Sequence, residues 1–93
     1  MNSANLFYAD EPRPWLELIQ YTNPKGKKAL YDIQDVGASH VCFLVDDIEA
    51  AYRELKAKGV QFLSEPVQLP KGGAIVYLRD PDGYCLEFYQ PAT

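Results

Sequence analysis

Two short stretches of the chain are near copies of each other. Residues 16–20 read LELIQ and residues 86–90 read LEFYQ, so the copies are offset by 70 residues (86 − 16). An internal repeat indicates that one structural unit occurs twice in a chain. We therefore predict that residues 1–21 form a hairpin equivalent to the one that closes the chain. The alternative is a chance match, because short alternating apolar segments are common in strands.

The residues upstream of the two copies also correspond. A one-residue gap in the turn aligns Leu6, Phe7, Tyr8, Glu11 and Pro12 with Ile75, Val76, Tyr77, Asp80 and Pro81. The offset places the start of a complete first unit before Met1, so we expect residues 1–21 to be the closing hairpin of an incomplete first unit. Residues 22–36, which contain Pro24 and Gly26, are expected to form a polar linker.

Residues 47–58 carry the pattern of an amphipathic helix. Apolar side chains recur at the i, i+3, i+4 and i+7 spacing of one helix face, at Ile48, Ala51, Tyr52 and Leu55. We expect Asp46 to cap the first turn, Glu49 to complete a capping box and Gly59 to end the helix. The apolar face of this helix is expected to pack on a sheet.

The segment before this helix, residues 39–45, is predicted to be a strand. Period-two alternation divides it into an open face and a helix-side face, with His40, Cys42 and Leu44 on the first and Val41, Phe43 and Val45 on the second. The alternation therefore sends the one histidine of the chain to the face opposite the helix.

Three strand segments are predicted after the helix. The first is residues 60–63, followed by a loop or irregular edge strand between Pro66 and Pro70. Residues 74–79 and 84–90 then form a hairpin around the turn sequence Asp80-Pro81-Asp82-Gly83. Residues 37–93 thus hold a complete βαβββ module, and with the preceding hairpin they predict one compact α+β domain.

Composition excludes several classes of protein. The 93 residues are 47% apolar and 24% charged, which is typical of a globular domain. A net charge of −4 argues against a nucleic-acid partner. No apolar run approaches the ~20 residues of a membrane span, and a signal peptide is not evident, so we expect no membrane partner and a cytoplasmic protein.

The two cysteines and the chain length lead to two more expectations. Cys42 and Cys85 form no CxxC pair and are too few for a secreted disulfide framework, so we expect reduced, packed thiols. A chain this short buries a small share of its surface, which makes a homodimer the expected assembly.

Strand alternation brings three possible metal ligands to one face. Glu17, His40 and Glu87 lie on different predicted strands and all point away from the helix. Imidazole and carboxylate groups suit divalent Fe, Mn, Zn, Ni or Co, and three protein ligands leave positions for water or substrate. Tyr21, Tyr77 and Tyr89 are expected to line the same hollow and to contact a small-molecule ligand.

Two other interpretations of these residues remain open. A single strand histidine is commonly a hydrogen-bonded structural residue, and Glu87 on an open face could be solvated. The pairs His40/Cys42 and Cys85/Glu87 also share one face and could supply zinc ligands.

The sequence resembles the second module of the vicinal oxygen chelate superfamily, which includes glyoxalases, bleomycin resistance proteins and extradiol dioxygenases. The matching motifs are Gly37-x-x-His40, Val45-Asp46-Asp47-Ile48, Gly59-Val60, Asp80-Pro81-Asp82-Gly83 and Leu86-Glu87, together with Leu16-Glu17-Leu18. Tyr84 departs from the pattern, because the family often has Asn after that glycine.

The resemblance implies a cupped sheet that holds a divalent metal through one His and one Glu from each of two modules. His40 and Glu87 match the second-module ligands, and Glu17 matches the closing carboxylate of the first; the first-module His has no counterpart in this sequence. By the same resemblance, Glu87 is the candidate catalytic residue that moves a proton.

Two functions of different class follow. The first is a metal-dependent lyase or isomerase acting on a small substrate with vicinal oxygens, with a partner chain supplying the missing part of the site. The second is a non-catalytic small-ligand-binding protein that dimerises through its open sheet, because unpaired sheet edges recruit strands.

Overall fold

A computed structural model describes residues 1–7, 13–28 and 31–93 of the chain. It contains one helix, α1 (Ile48–Ala57), and seven strands: β1 (Asn2–Phe7), β2 (Trp15–Gln20), β3 (Val41–Leu44), β4 (Gln61–Phe62), β5 (Val67–Gln68), β6 (Ala74–Arg79) and β7 (Cys85–Gln90). The predicted α+β fold, with a hairpin preceding a βαβββ module, is confirmed.

The module forms one mixed sheet in the order β3-β7-β6-β4, with β5 also paired to β6. Strands β3 and β7 run parallel, whereas β6 pairs antiparallel with β7, β4 and β5. A parallel pair cannot be joined by a tight turn, and the connection between β3 and β4 through α1 covers one face of the sheet. Strand β3 is therefore an edge strand of the described sheet.

The core lies between α1 and the centre of this sheet. Ile48, Ala74 and Val76 are its most buried members, and Val45, Phe62 and Phe88 pack against them. Every second residue of β6 is buried, as expected for a strand with one face under a helix. The opposite face of the sheet has no helix on it among the described residues, and we call it the open face; Tyr31 and Ile33 lie near its Arg79 and Cys85 end.

Several strand ends differ from the prediction by one or two residues. Strand β3 begins at Val41, so His40 lies just before it. Strand β7 begins at Cys85 because the Tyr84 backbone N–H still donates to Asp80 Oδ1 in the turn. These differences leave the alternation of side chains unchanged.

The cap of α1 is Asp47, and the prediction of Asp46 was wrong. Asp47 has an extended backbone, with φ −139° and ψ 94°, and its carboxylate accepts a hydrogen bond from the Ala50 N–H at 3.1 Å. The helix starts one residue later than Asp46 requires. Gly59 follows the last turn at φ +91°, which confirms the predicted stop.

Replacing this cap tests the assignment. Asp47→Ala is expected to lower the free energy of unfolding by about 1 kcal/mol, because it leaves a helix N–H without its acceptor. Asp46→Ala is the matched control and is expected to have little effect. Urea denaturation followed by circular dichroism measures both; an equal loss in the two variants would contradict the assignment.

Strands β1 and β2 form a separate two-stranded sheet with the architecture of the last hairpin. Six residue pairs join β1 to β2, from Asn2↔Gln20 to Phe7↔Trp15, and six join β6 to β7, from Ala74↔Gln90 to Arg79↔Cys85. The predicted one-residue gap was wrong: the strands are connected by residues 8–14 in the first hairpin and 80–84 in the second, a difference of two. Tyr8, Glu11 and Pro12 of the sequence alignment lie outside the described residues.

The boundaries between hairpin, linker and module stay predictions. Within residues 22–36, an isolated bridge joins Thr22 to Lys25, and Ala29 and Leu30 lie outside the described residues. The described part of the chain contains no helix with the length and apolarity needed to cross a bilayer.

Candidate functional site

His40 and Glu87 meet on the open face of the sheet. Parallel pairing places Glu87 opposite Cys42, two residues after His40, and His40 Nε2 lies 3.0 Å from Glu87 Oε1. The side chains are 35% and 16% exposed, so solvent or a small molecule reaches both groups. The parallel pairing of β3 with β7 therefore brings the imidazole, one residue before β3, to the carboxylate on β7, on the face that period-two alternation predicted.

Tyr77 packs beside the His40–Glu87 pair. It is the antiparallel partner of Glu87 on β6, and its ring packs edge-on against His40 with 5.5 Å between centroids. Burial raises the pKa of the Tyr77 phenol, and the negative charge of Glu87 raises it further. Tyr77 consequently remains a neutral hydroxyl near pH 7, able to donate a hydrogen bond.

Both cysteines are free thiols, in agreement with the prediction, but their surroundings differ. Cys85 is buried, whereas Cys42 is exposed, so the expected packing of Cys42 as a buried thiol was wrong. Desolvation raises the pKa of the Cys42 thiol, and the adjacent Glu87 carboxylate adds to this effect. Cys42 is therefore a protonated thiol at neutral pH, a weak metal ligand and a weak nucleophile.

The other predicted site residues lie on β7, on β2 and just after β2. Tyr89 is two residues beyond Glu87 on the same face of β7 and pairs with Leu44 and Ile75. Tyr21 is 59% exposed just past the end of β2. Glu17 lies in β2 and pairs with Asn5 of β1. Glu17 occupies the same position in the first hairpin that Glu87 occupies in the last hairpin.

Glu17 does not reach His40 and Glu87 in the chain as described. Among residues 1–7, 13–28 and 31–93, no three His, Cys, Asp or Glu side chains are placed to hold one metal ion. The same finding applies to a zinc site that would include Cys42 and Cys85, because no such group of three ligands exists among the described residues. The structure thus brings together two of the three predicted metal ligands, with Glu17 on the separate sheet.

The spacing of His40 and Glu87 fits two ligands of one metal ion. Ligand atoms about 2.1 Å from an ion and about 90–110° apart are separated by about 3.0–3.4 Å. The observed Nε2 to Oε1 distance of 3.0 Å is that of a hydrogen bond between His40 and Glu87, and it also lies within the range for two ligands of one ion. One imidazole nitrogen and one carboxylate oxygen also form a donor set suited to Zn, Ni, Co, Fe or Mn.

A cavity that the sequence did not predict is lined by Ser39, the residue before His40, and by Cys85, two residues before Glu87. It has a volume of about 170 Å³, and we call it the Tyr31 cavity, lined among others by Tyr31, Ile33, Ser39, Arg79, Tyr84 and Cys85. Ser39 Oγ and Tyr84 Oη lie 2.9 Å apart at its wall. Alternation along β6 could have placed Arg79 on the face of Tyr77, but the position of Tyr31 carries no sequence signal.

Comparison with known proteins gives the family of the chain. The sequence profile of the glyoxalase/bleomycin resistance protein/dioxygenase superfamily matches residues 1–88. The protein YwbC of Bacillus subtilis is 33% identical over 92 residues, a match that covers 94% of this chain and 65% of YwbC. The lactoylglutathione lyase GLX1 of Arabidopsis thaliana is 28% identical over 88 residues, covering 94% of this chain and 30% of GLX1.

A solved structure agrees with the sequence matches. The glyoxalase family protein of Bacillus cereus superposes with a TM-score of 0.74 at 21% identity, covering 85% of this chain and 54% of that protein. At this identity the likeness shows the fold. The chain spans less than two thirds of the length of each of these relatives. The profile matches nearly the whole of this chain, which therefore belongs to the glyoxalase/bleomycin resistance protein/dioxygenase superfamily.

Proposed function

We propose that this chain binds a divalent metal ion through His40 and Glu87 and acts as a lyase or isomerase on a small substrate with vicinal oxygens. The observation that carries the proposal is the 3.0 Å approach of His40 Nε2 to Glu87 Oε1 on an accessible sheet face. Relatives support the reaction class, because the matched Arabidopsis thaliana and Schizosaccharomyces pombe proteins are named lactoylglutathione lyases.

The residues around the pair have distinct roles in this proposal. A bound divalent ion supplies Lewis-acid polarisation of substrate oxygens. Glu87 has a second carboxylate oxygen that takes a proton from substrate carbon and returns it. The neutral Tyr77 hydroxyl donates a hydrogen bond to a substrate oxygen, and the Tyr89 side chain limits the hollow along β7.

The proposal also includes a second copy of the chain. Glu17 is the first-hairpin equivalent of Glu87, yet in the described chain it belongs to a sheet apart from His40. We propose that the chain is a homodimer in which Glu17 of the partner subunit is the third metal ligand. The uncovered apolar side chains of the hairpin support this assembly, since Leu6, Trp15 and Leu18 are 49%, 52% and 51% exposed.

Metal titration tests the proposed site. Metal-free protein is dialysed against Zn, Ni, Co, Mn or Fe(II) ions, and bound metal is measured by elemental analysis. Wild-type protein is expected to bind at least one of these ions at one per chain. His40→Ala and Glu87→Gln are each expected to weaken binding at least about 100-fold, because each removes a ligand atom directly.

Glu65→Gln is the matched control, since Glu65 is an exposed carboxylate outside the open face. Thermal unfolding of each variant separates loss of the site from loss of the fold. Wild-type protein that binds none of these ions would overturn the proposal and leave the small-ligand-binding function without catalysis. Equal affinity in wild type and His40→Ala would overturn it as well.

A further inference from the structure

Two residues that line the Tyr31 cavity are near neighbours of the His40–Glu87 pair along the chain. Ser39, in its wall, precedes His40, and Cys85 lies two residues before Glu87 on the same face of β7. Two residues of strand span about 7 Å. A substrate held at Glu87 can therefore extend into the cavity with an arm of a few atoms, and the cavity's 170 Å³ has room for one, since a water molecule needs only about 10–15 Å³.

The chemistry of the cavity is set by Arg79. Its side chain is half-buried, and Nη1 donates to the Gly83 carbonyl at 2.8 Å, which fixes the guanidinium over the turn. A guanidinium has five N–H donors, and Gly83 is the acceptor found for it among the described residues. The planar N–H pair that remains matches the two oxygens of a carboxylate.

Hydroxyl groups complete the polar lining. The Ser39 and Tyr84 hydroxyls are hydrogen-bonded at 2.9 Å, and one of the two protons is free to turn toward a ligand. The Tyr31 and Ile33 side chains add apolar surface on the outer wall. Such a site suits an anionic end group carried on a short aliphatic arm.

Two carboxylates near Arg79 limit the charge of that end group. Asp32 and Asp35 share an adjoining recess with Arg79, and Asp35 Oδ2 accepts a hydrogen bond from the Asp32 N–H at 2.9 Å. In the described part of the chain neither carboxylate lies within 4.0 Å of the guanidinium. Their negative charge opposes a dianion more strongly than a monoanion.

We propose that the Tyr31 cavity is the subsite for a carboxylate at the far end of the substrate, bound by Arg79. This inference rests on the proposed function, because it names the class of substrate for the His40–Glu87 site. The substrate is then a small organic acid whose carboxylate sits about two strand residues from its reacting oxygens.

Titrations of metal-free protein test the subsite. Butyrate, its neutral analogue butyramide, and inorganic phosphate are added while NMR follows the Arg79 Nε–Hε signal. Butyrate is expected to shift this signal saturably, phosphate to bind more weakly, and butyramide to leave the signal unchanged. Tighter binding of phosphate, or equal binding of butyramide, would overturn the proposal.

Variants follow butyrate through the ring signals of Tyr31 and Tyr84. Arg79→Met is expected to weaken the binding of butyrate at least about tenfold, whereas Arg53→Met, which removes an exposed arginine of α1, should not.

Arg79 also holds the 80–84 turn through its hydrogen bond to Gly83, so a second variant leaves Arg79 in place. Asp35→Asn preserves the acceptor for Asp32 N–H and removes one negative charge, and it is expected to tighten butyrate about threefold; no change in this variant would count against the proposal.

The outcomes separate this inference from the proposed function. The titration is performed without metal, so a failure of metal binding leaves the butyrate result intact. Metal binding through His40 and Glu87, with butyrate affinity unaffected by Arg79→Met, would retain the metal site and overturn the carboxylate subsite.

Discussion

Leu18→Glu is expected to convert the proposed homodimer to a monomer, with at least a ~100-fold increase in the dissociation constant. Each tenfold corresponds to about 1.4 kcal/mol, and burying an unpaired carboxylate at an apolar interface costs several kcal/mol. Leu18 is 51% exposed in the single chain. A glutamate is therefore tolerated in the folded monomer, and the penalty falls on association.

The hairpin gives the physical reason for this expectation. A two-stranded sheet alone is marginally stable in water, and β1 and β2 pair only with each other in the described chain. The register places Leu6 and Leu18 on one face of the hairpin and Phe7, Trp15 and Ile19 on the other. These five side chains are 45% to 58% exposed, so both faces of the hairpin carry exposed apolar surface. Covering these side chains with a second copy would stabilise the hairpin and the dimer together.

Sedimentation equilibrium over a range of concentrations measures the effect. Gln61→Glu is the matched control, because it adds the same charge to β4, at the opposite edge of the sheet from β3. Its dissociation constant should stay close to that of wild type. A wild-type protein that is monomeric at every concentration, or a Leu18→Glu protein that associates as tightly as wild type, would contradict the proposed assembly.

The fold of the module could be predicted from sequence because local patterns agree with tertiary structure there. The predicted apolar face of α1 packs on the sheet, and Ile48 on that face is 1% exposed. The predicted strand 74–79 matches β6. The N-cap was harder, because adjacent Asp46 and Asp47 are equally good caps. The backbone conformation at Asp47, which sequence does not show, decides between them.

Strand register in the first hairpin was also beyond sequence reasoning. The apolar residues of β1 can be aligned with β6 in more than one way, and the connection length decides which residue faces Glu17. The structure pairs Glu17 with Asn5, as Glu87 pairs with Tyr77. Register within a hairpin depends on turn geometry as well as on the apolar pattern.

The candidate site was predictable where it depends on alternation within one sheet. His40, Cys42 and Glu87 were placed on one face by period two, and they meet there beside Tyr77. The placement of Glu17 depends on how the hairpin packs against other elements, which no local pattern records. The Tyr31 cavity was missed for the same reason, since residues from the 31–39 segment close over β6 and β7.

Mixing two variants that are each expected to lose the metal is the most direct test of the proposed site shared between subunits. A Glu17→Gln dimer would retain His40 and Glu87 but lack the proposed third ligand, and a His40→Ala dimer would retain Glu17 but lack the imidazole. A heterodimer of the two contains one complete site if Glu17 acts across the interface, and none if it acts within its own chain. Two different affinity tags allow the heterodimer to be isolated.

The quantity to measure is metal bound per heterodimer at an ion concentration that saturates wild type but neither variant homodimer. Binding of one ion per heterodimer is the predicted result, because the Glu17→Gln chain supplies His40 and Glu87 while the His40→Ala chain supplies Glu17. Heterodimers that bind no more metal than the two variant homodimers would contradict a site built from both subunits.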